Sequence, residues 1–127
     1  QSVVSVDPDK LQAIRDGLFM VVNGQGTGRN AQLKGYDVSG KTGTAQVISN
    51  AGRAAAGNTT KDLRDNGWFP FFAPRDNPKI AGVVFLEHGV HGSNAASIAR
   101  HILDTFFAKQ EGRPLPPKPV IVPNLKP

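Results

Sequence analysis

The sequence predicts an α+β fold in which helices flank a short antiparallel sheet. Apolar residues recur at helical spacing in two stretches, one near each end of the chain. Between them lie two strand-like apolar runs, and the turn-forming residues 74–79 that join these runs are too few for anything but an antiparallel hairpin. With 127 residues, 39% of them hydrophobic, the chain has the size and composition of one small domain.

The first helix is predicted to begin at Pro8, because proline is favoured in the first helical turn and the preceding Asp7 is a preferred N-cap. Asn23 and Gly24 end it with residues that tolerate a positive φ. The apolar residues that share one face of this helix are Leu11, Ile14, Leu18, Val21 and Val22.

The middle of the chain alternates strand-like and turn-like segments. Residues 36–48 predict a strand, which Gly40 and Gly43 make closely approachable. The polar residues 49–66 predict a long loop, either a lid or a disordered segment. Residues 68–73 predict an aromatic strand, in which Pro70 lacks an N–H donor and therefore favours an edge position or a bulge. Residues 80–86 predict a buried strand.

A second helix is predicted to follow, with Ser93 or Asn94 as its N-cap and with Lys109 and Gly112 at its end. Residues 112–127 hold six of the ten prolines, so we expect them to form an extended, polyproline-like tail. The apolar residues of the core-facing stripe on this helix are Ala95, Ile98, Ala99, Ile102, Leu103 and Phe106.

Composition excludes several classes of function. The absence of cysteine excludes disulfides, thiolate metal sites and a cysteine nucleophile. The net charge of +5 comes from scattered lysines and arginines, so no nucleic-acid partner is expected. The longest apolar run, Ile80–Leu86, is far shorter than the roughly 20 residues of a membrane-spanning helix. No signal segment opens the chain, which begins at Gln1 and has its only methionine at Met20, so we expect the chain to be a fragment cut from a longer protein.

Four patterns suggest a ligand, and each lacks the context that its ligand needs. The glycine-rich residues 24–28 resemble the start of a dinucleotide-binding motif, but no strand precedes them. Residues 35–42 match the phosphate-loop pattern, but no helix follows them. Glu87, His88 and His91 suit no known closed zinc site and are expected to form a turn. The aromatic residues in 68–73 alternate with period two, which favours a half-buried strand over a ligand platform. No cofactor and no metal are predicted.

The Lys-Thr-Gly-Thr segment, residues 41–44, combines groups that can bind a peptide. The ammonium of Lys41 and the hydroxyls of Thr42 and Thr44 can bind a carboxylate, while Gly43, which has no Cβ, lets a peptide pair with the strand. The backbone N–H of Thr44 can then point at a carbonyl oxygen that gains negative charge. Lys-Thr-Gly is also one of three signatures of the serine enzymes that react with penicillin.

The surroundings of this segment extend the resemblance. Over about residues 7–107 the chain resembles the C-terminal part of a class B penicillin-binding protein, and within that family the elongation-type transpeptidases. The stretches that carry the resemblance are Val-Ser-Gly-Lys-Thr-Gly-Thr-Ala-Gln-Val from residue 38, Gly-Trp-Phe from 67, Phe-Ala-Pro from 72, Asp-Asn-Pro-Lys-Ile-Ala from 76, Glu-His-Gly-Val-His-Gly from 87 and the helix over 95–107.

The resemblance implies a three-layer fold like that of β-lactamases and transpeptidases, present here as an incomplete domain (residues 1–111) followed by the tail (112–127). It implies that Lys41 and Thr44 are catalytic, Lys41 through its charge and a proton-relay contact and Thr44 through an oxyanion-hole N–H. It further implies that Lys41, Thr42, Gly43 and Thr44 bind peptidoglycan stem peptides or β-lactams. The implied location is the periplasmic face of the inner membrane, with an N-terminal anchor outside this chain.

The family's nucleophile is the serine of a Ser-x-x-Lys motif, and none of the six serines here is followed by lysine at that spacing or begins a Ser-x-Asn motif. We therefore expect the remainder of the same domain to carry both motifs, and this fragment alone to be inactive. Two alternatives stay open. One is a non-enzymatic penicillin sensor of the same fold, and the other is a small basic binding module in which Lys-Thr-Gly is a coincidence.

Overall fold

The computed structural model describes residues 4–57 and 63–118. Helices pack on an antiparallel sheet, which confirms the predicted α+β class. None of the helices in this part of the chain combines the length and apolarity that a membrane crossing requires. In chain order the elements are α1 (Pro8–Asn23), a 3₁₀ turn (Arg29–Ala31), β1 (Ser39–Gly40), β2 (Gly43–Ala45), α2 (Asn50–Ala55), β3 (Asn66–Ala73), β4 (Ile80–Leu86) and α3 (Gly92–Glu111).

The sheet is built around β3. The predicted hairpin is confirmed, because β3 pairs antiparallel with β4 over its length, from Gly67 opposite Leu86 to Ala73 opposite Ile80. On its other side β3 pairs with both β1 and β2. The strand predicted over residues 36–48 therefore exists as two short pieces, which keep one continuous register against β3.

The prediction that Pro70 lies at a sheet edge or in a bulge is wrong, because Pro70 lies in the central strand opposite Val83. The carbonyl of Pro70 accepts a hydrogen bond from the N–H of Lys41, at 3.1 Å. Proline has no N–H to return that bond. The sheet tolerates Pro70 because its missing donor faces the gap between β1 and β2.

The core lies between the sheet and α3. Phe69 and Phe71 of β3 are buried, whereas Trp68 and Pro70, which alternate with them, are exposed, which confirms the predicted period-two alternation. Glycines let the start of α3 approach the sheet closely, since a Cβ on Gly67 would lie 2.7 Å from the carbonyl oxygen of His91. The largest fully buried side chains are Phe69, Leu103, Val22, Val38 and Ser39.

The predicted start and end of α1 are confirmed, since a side-chain oxygen of Asp7 accepts hydrogen bonds from two N–H groups of the first turn. The helix ends at Asn23, although the following residue has a φ of −94° and not a positive one. The predicted apolar face is only partly buried: Val22 is inaccessible, whereas Ile14 is 55% exposed. The reason is that α1 contacts the sheet chiefly through β1.

Two predictions about α3 are wrong. Neither Ser93 nor Asn94 is the N-cap, because the helix begins at Gly92 and the amide of Asn94 instead donates to the carbonyl of Gly89, at 2.8 Å. Ile102 does not face the core, since 40% of it is exposed, whereas its neighbour Leu103 is completely buried. The predicted end is confirmed by a left-handed residue, φ 65°, at position 112.

The loop predicted over residues 49–66 contains the short helix α2, so that prediction is wrong in part. The hydroxyl of Ser49 caps this helix by accepting a hydrogen bond from the N–H of Gly52, at 3.1 Å. Arg53 of α2 donates to Asp65 just before β3, at 2.6 Å. The rest of the loop prediction, over residues 58–62, and the tail prediction beyond residue 118 lie outside the described residues.

Candidate active site

The Lys-Thr-Gly-Thr segment lies on an edge of the sheet. Alternate residues of an antiparallel strand turn their backbone groups toward and away from the neighbouring strand. Because the N–H of Lys41 points at Pro70 of β3, the N–H and C=O groups of Thr42 and Thr44 point away from the sheet. No strand among the described residues pairs with this edge. The backbone groups of Thr42 and Thr44 are therefore available to pair with an extended peptide.

The cation and the hydroxyls reach this edge from opposite faces of the sheet. Thr44 lies opposite Gly67, so its exposed side chain is on the face that bears α3. Lys41 is three residues from Thr44, so its side chain leaves the strand on the opposite face of the sheet. Its ammonium donates to the carbonyl of Thr42 at 2.8 Å, which places Nζ at the open edge. The edge thus presents a positive charge, two hydroxyls and two N–H donors.

Gly43, the remaining predicted site residue, is held between β3 and α3. A Cβ on Gly43 would lie 3.3 Å from the Cβ of Trp68, and a Cβ on Gly92 would lie 2.6 Å from the carbonyl oxygen of Gly43. The start of α3 therefore covers the backbone of the segment from one face. Glycine at this position serves the packing of the strand, independently of any peptide.

An apolar surface lies on the face of the sheet opposite α3. Trp68 is 40% exposed, and its ring contacts that of Phe85 with centroids 4.5 Å apart. Phe85 is 47% exposed and Val83 is 58% exposed, so the prediction that residues 80–86 form a buried strand is wrong. The side chain of Lys41 leaves the strand on this same face, so the site lies next to an exposed apolar surface.

Thr27 is a residue of the site that the sequence analysis missed. Its hydroxyl oxygen lies 2.5 Å from that of Thr42, across 15 positions of sequence. Residues 24–28 match only the start of a dinucleotide-binding motif, and α1 precedes them where that motif needs a strand. The one signal in the sequence was a threonine with a glycine on each side.

The two other candidate patterns form turns and strands. Glu87, His88 and His91 belong to the turn between β4 and α3, as predicted, where the N–H of His88 donates to the side-chain oxygen of Asn66 at 2.8 Å. Residues 35–42 lead into the sheet and no helix follows until Asn50, so the strand-loop-helix arrangement of a phosphate loop is absent. In the described part of the chain, no group of three or more His, Asp or Glu side chains could hold a metal.

Comparison with known proteins agrees with this geometry. Residues 1–104 match the family described as the penicillin binding protein transpeptidase domain. The chain belongs to the penicillin-binding protein transpeptidase family. The resemblance inferred from the Lys-Thr-Gly-Thr segment and its surroundings is thereby confirmed.

Several curated relatives of this family member are named peptidoglycan D,D-transpeptidases. The protein named MrdA in Haemophilus influenzae is 45% identical over 102 residues, which cover 76% of this chain and 16% of that protein. MrdA of Acinetobacter baumannii is 36% identical over 106 residues, covering 82% of this chain and 16% of that protein. The chain therefore spans about a sixth of the length of these relatives.

Solved structures of penicillin-binding proteins share the fold. PBP2 of Pseudomonas aeruginosa, solved in complex with WCK 5153, matches with a TM-score of 0.66 and 32% identity, over 87% of this chain and 22% of that one. PBP3 of Mycobacterium tuberculosis, solved with ampicillin, matches with a TM-score of 0.55 and 31% identity, over 86% of this chain and 25% of that one. The predicted transpeptidase-like fold, present as part of a domain, is confirmed.

Proposed function

We propose that this chain is the C-terminal part of a serine D,D-transpeptidase that cross-links peptidoglycan stem peptides and is acylated by β-lactams. One observation carries the proposal: the Lys-Thr-Gly-Thr segment lies on an open strand edge, with its charge, hydroxyls and outward N–H groups side by side. The relatives named above are peptidoglycan D,D-transpeptidases, and one structural neighbour was solved with ampicillin, which supports the substrate class.

In this proposal the strand edge recognises the donor peptide by its terminal carboxylate. The hydroxyls of Thr42 and Thr44 donate hydrogen bonds to the carboxylate, and the ammonium of Lys41 adds its charge. The peptide backbone pairs with the outward groups of the segment as one more strand, beside Gly43. The same groups bind the carboxylate of a β-lactam.

The chemistry proceeds through a serine ester. The serine oxygen bonds to the carbonyl carbon of the penultimate D-alanine, the oxyanion accepts a hydrogen bond from the N–H of Thr44, and the C–N bond breaks as the terminal D-alanine leaves with a proton. An amine of a second stem peptide then attacks the ester, forms the cross-link and frees the serine. Loss of one oxyanion donor typically costs about 10²–10³ in rate.

The nucleophile in this proposal comes from the remainder of the domain, which carries Ser-x-x-Lys and Ser-x-Asn. The serines of this chain are poor candidates, since Ser39 is completely buried and Ser49 caps α2. The remainder also covers the apolar surface formed by the exposed side chains of Trp68, Val83 and Phe85. It covers in addition the outer edge of β4, with which no described strand pairs. Left uncovered, such an edge would favour aggregation.

We further propose that residues 1–111 belong to the domain and residues 112–127 form a tail, whose second residue, Arg113, contacts Tyr36 of the domain. The enzyme acts on the periplasmic face of the inner membrane, where peptidoglycan is assembled, and an N-terminal anchor outside this chain holds it there. Named relatives that act on peptidoglycan support this location. The proposed chemistry uses no cofactor.

The test compares the complete protein with this chain alone. Fluorescent penicillin is expected to label the complete protein, with the adduct on a peptide outside residues 1–127, and to leave the chain alone unlabelled. Release of D-alanine from a stem pentapeptide then separates the transpeptidase from a penicillin sensor, which is labelled but releases none. An adduct within residues 1–127, or a complete protein that is never labelled, would contradict the proposal.

A further inference from the structure

The contact between Thr27 and Thr42 joins a loop to the edge strand of the site. Thr27 lies between α1 and the 3₁₀ turn, and its hydroxyl oxygen is 2.5 Å from that of Thr42. This is hydrogen-bond distance for two hydroxyl groups. Thr42 is half-buried, so its side chain has fewer orientations open to it than that of an exposed threonine.

The loop that carries Thr27 is pressed against the end of α1. The N–H of Gly28 donates to the carbonyl of Val21 at 3.0 Å. A Cβ on Gly26 would lie 2.5 Å from backbone atoms of Val21, and a Cβ on Gly28 would lie 2.9 Å from the side chain of Val21. Close packing against Val21 therefore requires glycine on both sides of Thr27. This packing fixes the position of the Thr27 backbone relative to Thr42.

Two hydroxyls that are hydrogen-bonded to each other can donate one further hydrogen bond to a carboxylate. Each threonine hydroxyl has one proton to donate and two lone pairs to accept with. The bond between Thr27 and Thr42 uses one of the two protons, whichever residue is the donor. One proton remains for a third group, and the bond restricts the rotation of the hydroxyl that offers it.

We infer that Thr27 is a positioning residue for carboxylate recognition: its hydroxyl orients that of Thr42 toward the terminal carboxylate of the peptide or β-lactam. The inference rests on the proposed function, in which Thr42 binds that carboxylate. Orientation before binding removes part of the rotational freedom that would otherwise be lost on binding. Thr27 thus acts through Thr42, without joining the acyl transfer.

The experiment uses the complete protein and measures the second-order rate of acylation by a penicillin and by the methyl ester of the same penicillin. Thr27→Val is expected to lower the rate with the free acid about tenfold and to leave the rate with the ester unchanged. Thr27→Ser, which keeps the hydroxyl, restores the rate, and Thr27→Ala repeats the loss should valine disturb the loop. The control Thr105→Val, on α3, changes neither rate.

A double variant tests the coupling. If Thr27 acts through Thr42, Thr27→Val adds no further loss to Thr42→Val, because residues that act as a unit are not additive. Equal losses with acid and ester, additive losses in the double variant, or wild-type rates in Thr27→Val would each overturn this inference alone. A wild-type protein that no penicillin acylates would overturn the proposed function and this inference with it.

Discussion

The N–H of Lys41 donates to the carbonyl of Pro70 at 3.1 Å, and Pro70 has no N–H to complete the pair of bonds. The residues on either side keep their register, with Gly40 opposite Phe71 and Gly43 opposite Trp68. The proposed substrate-binding strand therefore has one backbone bond fewer than a regular edge strand, at the residue that carries its positive charge.

Pro70→Val is expected to complete this pair of bonds and to join β1 and β2. A new hydrogen bond contributes about 0.5–1.5 kcal/mol. Loss of the proline costs about 0.4–1 kcal/mol, because the unfolded chain gains freedom. Overall stability should thus change little, while amide hydrogen exchange over residues 39–45 slows. Exchange measured by mass spectrometry checks this, with Pro78→Val in the hairpin turn as the control, and unchanged exchange in Pro70→Val would contradict it.

Thr44→Val is expected to slow acylation by β-lactams without lowering the melting temperature of the complete protein. The side chain is exposed, so its removal leaves the core intact, and valine keeps the backbone N–H. The loss should therefore be about tenfold, as for one hydrogen bond, and smaller than the loss of an oxyanion donor. Acylation kinetics and thermal unfolding measure the two effects. A large drop in melting temperature would show that Thr44 is not at an open edge.

Adjacent residues of α3 are expected to differ sharply in their contribution to stability. Leu103 is completely buried, so Leu103→Ala should lower the free energy of unfolding by about 2–5 kcal/mol. Ile102 is 40% exposed, and Ile102→Ala should cost less than half as much. Chemical denaturation of the two variants makes the comparison, and each serves as the control for the other. Equal losses would mean that Ile102 is covered in the complete protein.

The contact between Tyr36 and Glu111 is expected to make stability depend on pH. The hydrogen bond from Tyr36, and then that from Arg113, lowers the pKa of Glu111, while the same bond to Glu111 raises the pKa of Tyr36. A lowered carboxyl pKa gives stability above its ordinary value of 4.5 that is lost as the pH falls through the lowered pKa. A raised tyrosine pKa gives stability below its ordinary value of 10.0 that is lost as the pH rises through the raised pKa.

Tyr36→Phe isolates this effect, since phenylalanine can keep the ring stack on Phe107, whose centroid lies 4.1 Å away. The melting temperature of the variant should fall below that of the wild type near neutral pH. The difference should shrink below pH 4.5 and above pH 10. Thermal unfolding across this range measures it. A constant difference at every pH would mean that the hydroxyl bond contributes nothing.

The sequence by itself determined the bounds of α1, the β3–β4 hairpin and the chemistry of the edge strand. Asp7 and Pro8 mark the start of α1 because capping is a property of neighbouring residues, and the short turn before Ile80 leaves only a hairpin. The Lys-Thr-Gly-Thr segment and the absence of Ser-x-x-Lys can likewise be identified from the sequence, since a motif consists of residues close together along the chain.

Only the tertiary structure decided which groups face the open edge and what touches them. The outward N–H of Thr44 depends on the register against β3, and the tolerance for Pro70 depends on where β1 and β2 separate. The exposure of Ile102 depends on which side of α3 packs against the sheet. These are relations between segments distant in sequence. The bond between Thr27 and Thr42 spans 15 positions, and it exists because glycine packing at the end of α1 brings the loop to the strand.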